Sequence, residues 1–474
     1  MRINNRVPYM AVILFAMLLN TVRAQYFYTF VATTESFDAT LFNNSHKIAV
    51  RKEINGEDTV SVVFHSADSV KFIYSTNRGT TWQGLTTLGP GIFPAIDVDC
   101  FGFRHIVWQQ LDTISGTYNI YYDCLEDYAP PVNISCSAEN SITPDVVVDS
   151  SLTAHIVWTE QEGNYNKILY RNCKAGSLGT IFQVSPDWTN TTHTLPSIGI
   201  FAPDNQVYVV WDGIDYGSYS PYLILYRYMA DTVWSSVDWI WGHYKPTQHS
   251  SIDYDHGEDS LSGCYDYEDE YNNNYEVHFF MGNGGGYSTP GDSKFPVVST
   301  VTTAWSYLFW QEDSAGVVDI YYNTYYFNSG WSSGTIRTLF NINEPVRAPS
   351  CCGASMIWTQ GSSPPYSIYF ADFSYPVNTE EVRKRNTQQG VLEITPNPFT
   401  NKTVISYRGE VSSIKIFNTA ARLVKEFNSS SLPLLKKIVW DGTTDSGKEV
   451  PPGTYFCVLK NSRKRIVKKV VRLR

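Results

Sequence analysis

The sequence predicts an all-β protein, a ring of repeated four-stranded sheets followed by a small β-sandwich, and three observations predict it. Aromatic residues are abundant (33 Tyr, 24 Phe and 13 Trp in 474 residues) while charged residues make up only 17%, and aromatic side chains suit pleated, half-buried surfaces. A pattern of short apolar strands recurs from Thr59 to Phe370. After a polar stretch, alternating strands with Gly/Pro turns resume at Val391.

The repeat comes first. A Pro or Ser, an apolar pair, an Asp-containing turn, an apolar strand ending in an aromatic, a polar loop and an Ile/Leu-Tyr strand follow one another. The pattern runs through Phe93–Tyr122, Thr143–Tyr170, Leu195–Tyr226, Phe295–Tyr322 and Ala348–Phe370, with weaker copies at Ser250–Phe280 and Thr59–Ser75. The strand-ending aromatics are Phe64, Trp108, Trp158, Trp211, Tyr265, Trp310 and Trp358, spaced 44 to 54 residues apart. A period near 50 built of four short strands is what a β-propeller blade requires. Runs such as HIVW and VYVVW are apolar on both faces, as a sheet packed between two neighbours must be. Seven repeats favour a seven-bladed ring, with six blades the alternative. The last repeat lacks an outer strand, which Tyr26–Val31 is placed to supply.

At the N-terminus, Arg2 and Arg6 precede an apolar run from Met10 to Leu19, and Val22-Arg23-Ala24 offers a peptidase site. Residues 1–24 read as a cleaved signal peptide, too short in its apolar core to span a bilayer. Export permits disulfides among the eight cysteines (100, 124, 136, 173, 264, 351, 352 and 457), of which Cys124 and Cys136 are the most local pair. No CxxC occurs, so zinc-ribbon and thioredoxin readings fail. The formal net charge of −10 excludes nucleic acid as a partner of the repeat region.

Ser75-Thr76-Asn77-Arg78-Gly79-Thr80-Thr81-Trp82 resembles the Asp-box of sialidase-like propellers, with Asn77 where that family has Asp. The resemblance implies a turn at the blade periphery and a fold, not an activity. Sialidase chemistry would need three carboxylate-clamping arginines, a Tyr–Glu nucleophile and an Asp acid/base. Arg51, Arg78, Arg104, Arg171, Arg227, Arg337 and Arg347 fall at unrelated places in their repeats, so no catalytic residue carries over. HExxH, GxSxG and GxxxxGK[ST] are all absent.

Acidic and amide residues follow the aromatic of nearly every repeat. Asp112, Glu160, Glu162, Asp212, Asp215, Asp266, Glu268, Glu312 and Asp313 are therefore the candidate ligand-binding residues, on loops expected to share one face around the channel. Tyrosines in the same loops (Tyr165, Tyr216, Tyr219, Tyr222, Tyr271 and Tyr275) offer flat faces to sugar rings. Asp253, Asp255 and Asp259 have calcium-loop spacing around Gly257, although Asp253 also aligns with ordinary repeat turns. Calcium is the one cofactor the sequence offers.

The repeat region spans 25–373, and 374–390 reads as a linker. The strands of 391–474 predict an Ig-like β-sandwich. Pro396-Asn397-Pro398, Trp440-Asp441-Gly442, Gly453 and Tyr455 resemble the C-terminal sorting domain of type IX secretion substrates and the Ig-like sandwich of flagellar hook-capping proteins. The resemblance implies that outer-membrane secretion machinery reads the tail of a bacterial protein, which is then secreted or held at the cell surface. Together these features predict an exported propeller that binds a glycan or protein, without an intact catalytic constellation. The other reading is an extracellular glycoside hydrolase on a divergent sialidase-like propeller.

Overall fold

The computed structural model describes residues 28–373 and 392–473, except for 43, 45, 53–57, 128, 202–204, 255–260, 272–273, 281–284, 288, 290, 303–304, 327–329, 332–335, 338–343, 408–412, 419–421, 429–436 and 461–464. The signal-peptide and linker expectations lie outside the described residues. The chain divides into two compact units, one formed by 26–375 and the other containing 376–474.

Seven antiparallel sheets make up the larger unit among the described residues. Sheet I holds Ile48–Arg51, Thr59–Ser66, Ser69–Ser75 and Gln83–Pro90, in spatial and sequence order. Sheets II to VI repeat this meander, starting at Ile92–Val98, Asn140–Val148, Thr191–Phe201, Thr247–Tyr254 and Asp292–Thr302. Sheet VII takes Val346–Cys352, Ser355–Gln360 and Tyr366–Asp372 from the end of the unit and its outermost strand, Tyr28–Thr34, from the start. That strand runs antiparallel to its neighbour, Tyr28 opposite Ala371 and Thr34 opposite Tyr366. The first strands of successive sheets adjoin one another in a closed cycle. This is a β-propeller.

Each first strand turns an unpaired edge towards the channel, and unmet buried N–H groups there would be costly. A ring of sheet-to-sheet hydrogen bonds meets them. The Ile96 N–H donates to the His46 carbonyl at 2.8 Å and the Val148 N–H to Asp97 Oδ2 at 2.7 Å. Ile198 donates to Asp145 Oδ2 at 3.1 Å and Ile252 to Ser197 Oγ at 3.2 Å. Thr300 donates to Asp253 Oδ2 at 2.8 Å, Gly353 to Ser299 Oγ at 2.6 Å, and Lys47 to Ser350 Oγ at 3.0 Å. The last bond joins sheet VII to sheet I, so the ring closes at its centre as well as at its rim.

Between the sheets the core is apolar. Trp108, Trp158, Trp211, Trp310 and Trp358 are fully buried, each worth about 3–5 kcal/mol against truncation to Ala. At the rim, the 75–82 turn of sheet I is knit by Ser75 Oγ, which accepts from the Gly79 N–H at 2.9 Å, and by Asn77 Oδ1, which accepts from the Thr81 N–H at 2.9 Å. The Trp82 indole donates to Thr29 Oγ1 at 3.0 Å and its ring meets Phe370 edge-on at 5.4 Å. Gly79, at φ +76°, lies so close to Phe370 that a Cβ would sit 2.2 Å from the ring. This turn clamps the closing strand of sheet VII onto sheet I.

In the C-terminal unit, the sheet of Leu392–Thr395, Thr403–Tyr407 and Lys437–Trp440 and the sheet of Leu423–Asn428, Ser413–Asn418, Gly453–Lys460 and Arg465–Arg472 share one core. Trp440 is fully buried there against Phe399 and Tyr455, at 5.3 and 5.4 Å. Asn397 holds the last strand by donating to the Lys469 carbonyl at 2.8 Å and accepting from the Val471 N–H at 2.9 Å. The unit is a β-sandwich, and Pro396–Pro398, Trp440–Gly442, Gly453 and Tyr455 are parts of its frame.

Asp145 accepts from both Ile198 and His46. Asp145→Ala strands those donors and should lower unfolding free energy by about 3 kcal/mol, while Asp145→Asn, which keeps one acceptor oxygen but loses the other and the charge, should cost less than the alanine. Urea denaturation of the three proteins checks both.

Candidate functional site

Hairpins between second and third strands share one face of the ring with the sheet-to-sheet connections, called here the upper face. The structure separates the nine candidate residues into two groups. Glu160, Asp212, Asp266 and Glu312 are buried within second strands. Each serves the frame. Asp212 accepts from the His249 N–H at 2.6 Å, and Asp266 from the Phe295 N–H at 3.0 Å. Gln109, Thr159 and Gln311, at the same place in their sheets, accept from Thr143, Leu195 and Ala348. All five donors have φ between +51° and +56°, at a bulge where the first strand of the next sheet bends. One residue later, Glu160 and Glu312 accept from the indoles of Trp158 and Trp310 at 3.1 and 3.3 Å, and from Ser141 and Ser293 hydroxyls.

Asp112, Glu162, Asp215, Glu268 and Asp313 lie at the upper-face ends of their hairpins. Asp112, Asp215 and Asp313 accept from the N–H groups of Ile114, Gly217 and Gly316 at 2.8–2.9 Å, while Glu162 and Glu268 pair with Lys167 and Lys245. The Ile114 N–H, foremost among its contacts, holds Asp112 below the usual carboxylate range. Asp253 belongs to the channel ring, accepting from Ser299 Oγ and the Thr300 N–H, both at 2.8 Å. Asp255 and Asp259 lie outside the described residues. Among the described residues, no group of three or more His, Cys, Asp or Glu is arranged to hold a metal. All eight cysteines are free thiols.

The centre of the upper face is filled by the chain itself. The connection from Thr34 to Ile48 reaches partners on opposite sides of the ring. Thr40 Oγ1 donates to the Ala348 carbonyl of sheet VII at 2.8 Å, and Asn44 Nδ2 to the Pro196 carbonyl of sheet IV at 2.7 Å. Phe42 packs on Phe93 of sheet II at 4.9 Å, and the N–H and Nδ1 of His46 both meet Asp145 Oδ1 of sheet III at 3.0 Å. Burial works against a charge on His46, but Asp145, backed by Asp253 and Asp97, outweighs it and pushes the imidazole up to about 9. Burial pulls the fully buried Lys47 amine down to about 7, with Asp145 opposing, and among the described residues its Nζ has no hydrogen-bond partner.

Outside this plug, the upper face over sheets III to V is rich in exposed aromatics. Tyr219, Tyr271 and Tyr216 are 91%, 85% and 63% exposed, and Tyr165, Trp188 and Tyr244 are exposed as well. Asn190 ties two of these hairpins together, accepting from the Tyr165 hydroxyl at 3.1 Å and from the Tyr216 N–H at 3.0 Å. The Tyr244 hydroxyl donates to Glu270, joining sheets IV and V. The loop tyrosines were legible in the sequence. Trp188 and Tyr244, on sheet-to-sheet connections, were not, because those connections follow no repeat pattern.

The lower face carries a cavity of about 880 Å³ between sheets III and IV, lined by Asp149, His155, Tyr170, Lys174, Phe182 and Trp234 among others. Its one sequence signal was the recurrence of Asp, His and Tyr at matching places in two repeats (Asp99, His105, Tyr122; Asp149, His155, Tyr170).

Comparison with known proteins bears on the tail. A family model, the secretion system C-terminal sorting domain, matches residues 393–472. Those residues are a secretion sorting domain. Proteins with this tail are exported to the cell surface or the extracellular space, so this chain is an exported one. No curated protein matches the chain. Among solved structures, PorZ of Porphyromonas gingivalis, a surface component of the type IX secretion system, is similar at 12% identity and TM-score 0.38 over 91% of this chain and 60% of its own. This chain thus spans 60% of that protein's length. The β-propeller domain of the Trilobed protease from Pyrococcus furiosus is 9% identical over 73% of this chain and 97% of its own, at TM-score 0.45. A Trypanosoma rangeli sialidase is 9% identical over 92% and 88%, at TM-score 0.38. No activity, substrate or partner passes from these to the present chain.

The two buried bases oppose each other in pH. His46 has a raised folded pKa, so its contribution is full below about 6.5 and fades as pH rises towards 9. Lys47 has a depressed one, so its penalty is full below about 7 and is relieved as pH rises towards its ordinary value. Lys47→Met should therefore stabilise the protein at pH 7 by on the order of 2 kcal/mol. It should also turn a nearly flat stability profile between pH 7 and 9 into a falling one, as read by urea midpoints.

Proposed function

We propose that this is a binding protein displayed at or released from the cell surface, in which the upper face over sheets III to V engages a glycan or a protein. In this reading residues 1–24 are a cleaved leader, 374–390 a linker, and the sorting domain is handed to the outer-membrane secretion machinery. The observation that carries the binding role is the group of Tyr216, Tyr219 and Tyr271, left exposed on adjacent hairpins beside Glu162, Asp215 and Glu268. Exposed aromatic faces with carboxylates at their edges fit sugar rings or basic, aromatic-seeking protein surfaces. Burial of Glu160, Asp212, Asp266 and Glu312 in frame contacts takes four carboxylates out of reach of a glycoside-hydrolysing pair.

Deleting residues 391–474 should leave the protein inside the outer membrane of its bacterial host, measured by surface proteolysis and fractionation. The propeller alone should keep its unfolding midpoint within a few degrees.

On glycan and protein arrays, the triple variant Tyr216→Ala, Tyr219→Ala, Tyr271→Ala should bind at least tenfold more weakly than the parent with an unchanged unfolding midpoint. Equal binding by parent and variant sinks the assignment of this face. Turnover of a glycoside or polysaccharide, abolished by Glu162→Gln or Asp215→Asn, overturns the binding role in favour of a hydrolase.

A further inference from the structure

The cavity between sheets III and IV has an internal control in the space between sheets II and III. Both spaces are framed alike. His105 Nδ1 and His155 Nδ1 each lie 2.7 Å from a tyrosine hydroxyl, of Tyr122 and Tyr170, with Asp99 and Asp149 at the other ring nitrogen, 3.7 and 3.3 Å away. Arg171 donates to the carbonyls of Gly179 and Ile134, and Arg227 at the matching place donates to those of Ser235 and Val184. The difference lies in three fillings. Cys124, Cys173 and Leu178 close the first space in a single apolar cluster. By strand register, Asn172, Met229 and Trp234 stand in their places around the second, and there a cavity of about 880 Å³ remains.

Its floor and rim define the ligand. Trp234 lies parallel to Phe182 at 5.3 Å and edge-on to Tyr170 at 5.1 Å, a half-buried aromatic platform. The Arg227 guanidinium is already committed to two carbonyls and lies over Phe182 and Trp234 at 5.2 and 5.9 Å. Asp149 and Asp231 offset Arg227 and Lys174 in the lining, so no net field favours an ion. Asn172, whose carboxamide has room only because Gly179 lacks a Cβ and which also bonds Tyr170, and the Lys174 amine, which spends one of its three donors on Ser151 Oγ at 3.1 Å, stand at the rim with capacity left to meet hydroxyl groups. An aromatic floor inside a neutral, mixed donor and acceptor rim suits one face of a pyranose. We propose that this cavity binds a neutral sugar residue, stacked on Trp234 and held by Asn172 and Lys174. The site is separate from the upper face and does not depend on its assignment.

Saturation-transfer NMR on the mature full-length protein, with glucose, galactose, N-acetylglucosamine and maltotriose at millimolar concentration, tests this. At least one should receive saturation. Trp234→Leu, which installs the residue of the closed space, should weaken it tenfold or more, and Asn172→Ala should weaken it without touching the aromatic stack. Leu85→Ala, on the exposed outer strand of sheet I and outside both faces, should change nothing. The inference is overturned if none of the four binds, if Trp234→Leu and Asn172→Ala bind as the parent does, or if sialic acid binds more tightly than all four. Loss of binding in Tyr219→Ala alone also overturns it, while leaving the upper-face reading standing.

Discussion

The propeller depends on how the innermost edge of each sheet is satisfied. A first strand has a partner on one side only, and its other row of N–H groups faces the channel. In this protein one side chain or carbonyl from each sheet reaches the next and accepts one of those N–H groups, seven times around, ending with Ser350 and Lys47. Each of these seven acceptors comes from the preceding sheet or the connection entering it, so every sheet leans on its neighbour, even where, as at Val98 and Asp97, it also meets one of its own N–H groups. The ring is cooperative for that reason, and a gap at any sheet would leave a donor unmet in its neighbour.

That constraint explains where polar residues went. Asp97, Asp145 and Asp253 are spent on the channel ring, and Asp212 and Asp266 on the bulges one layer out. Burial pushes the carboxyls of Asp97 and Asp212 up to about 6 in spite of the N–H groups they accept, a cost accepted for joining sheets. The connection at 35–47 adds a further layer over the upper mouth. The exposed aromatics accordingly stand off the axis, on the hairpins and connections over sheets III to V, and the cavity lies on the lower face between sheets III and IV.

The acidic residues show how far a one-dimensional reading reaches. Their recurrence after each strand-ending aromatic was visible, and so was their regular spacing. Whether Glu160 and Glu312 left the strand or continued it was not visible, because a hairpin moved by two residues changes exposure without changing the pattern. The buried indole at Trp158 or Trp310 needs an acceptor, and the nearest one two residues on is a carboxylate. Asp253 shows the same ambiguity, since a spacing that fits a calcium loop equally fits a side chain reaching sideways to Thr300.

By itself the sequence determined the repeat, its strand order, the use of the N-terminal strand to complete the last sheet, and the sorting sandwich with its Asn397 and Trp440 landmarks. These follow from periodicity and from local turn chemistry, which the chain writes in order. Tertiary structure alone decided which polar residues face solvent, that the connection from Thr34 to Ile48 covers the channel, and that a cavity lies beside Trp234 while the matching space beside Leu178 is filled. Those outcomes arise from contacts that local sequence does not dictate, reaching 308 positions between Thr40 and Ala348 and set by the packing of one sheet on the next.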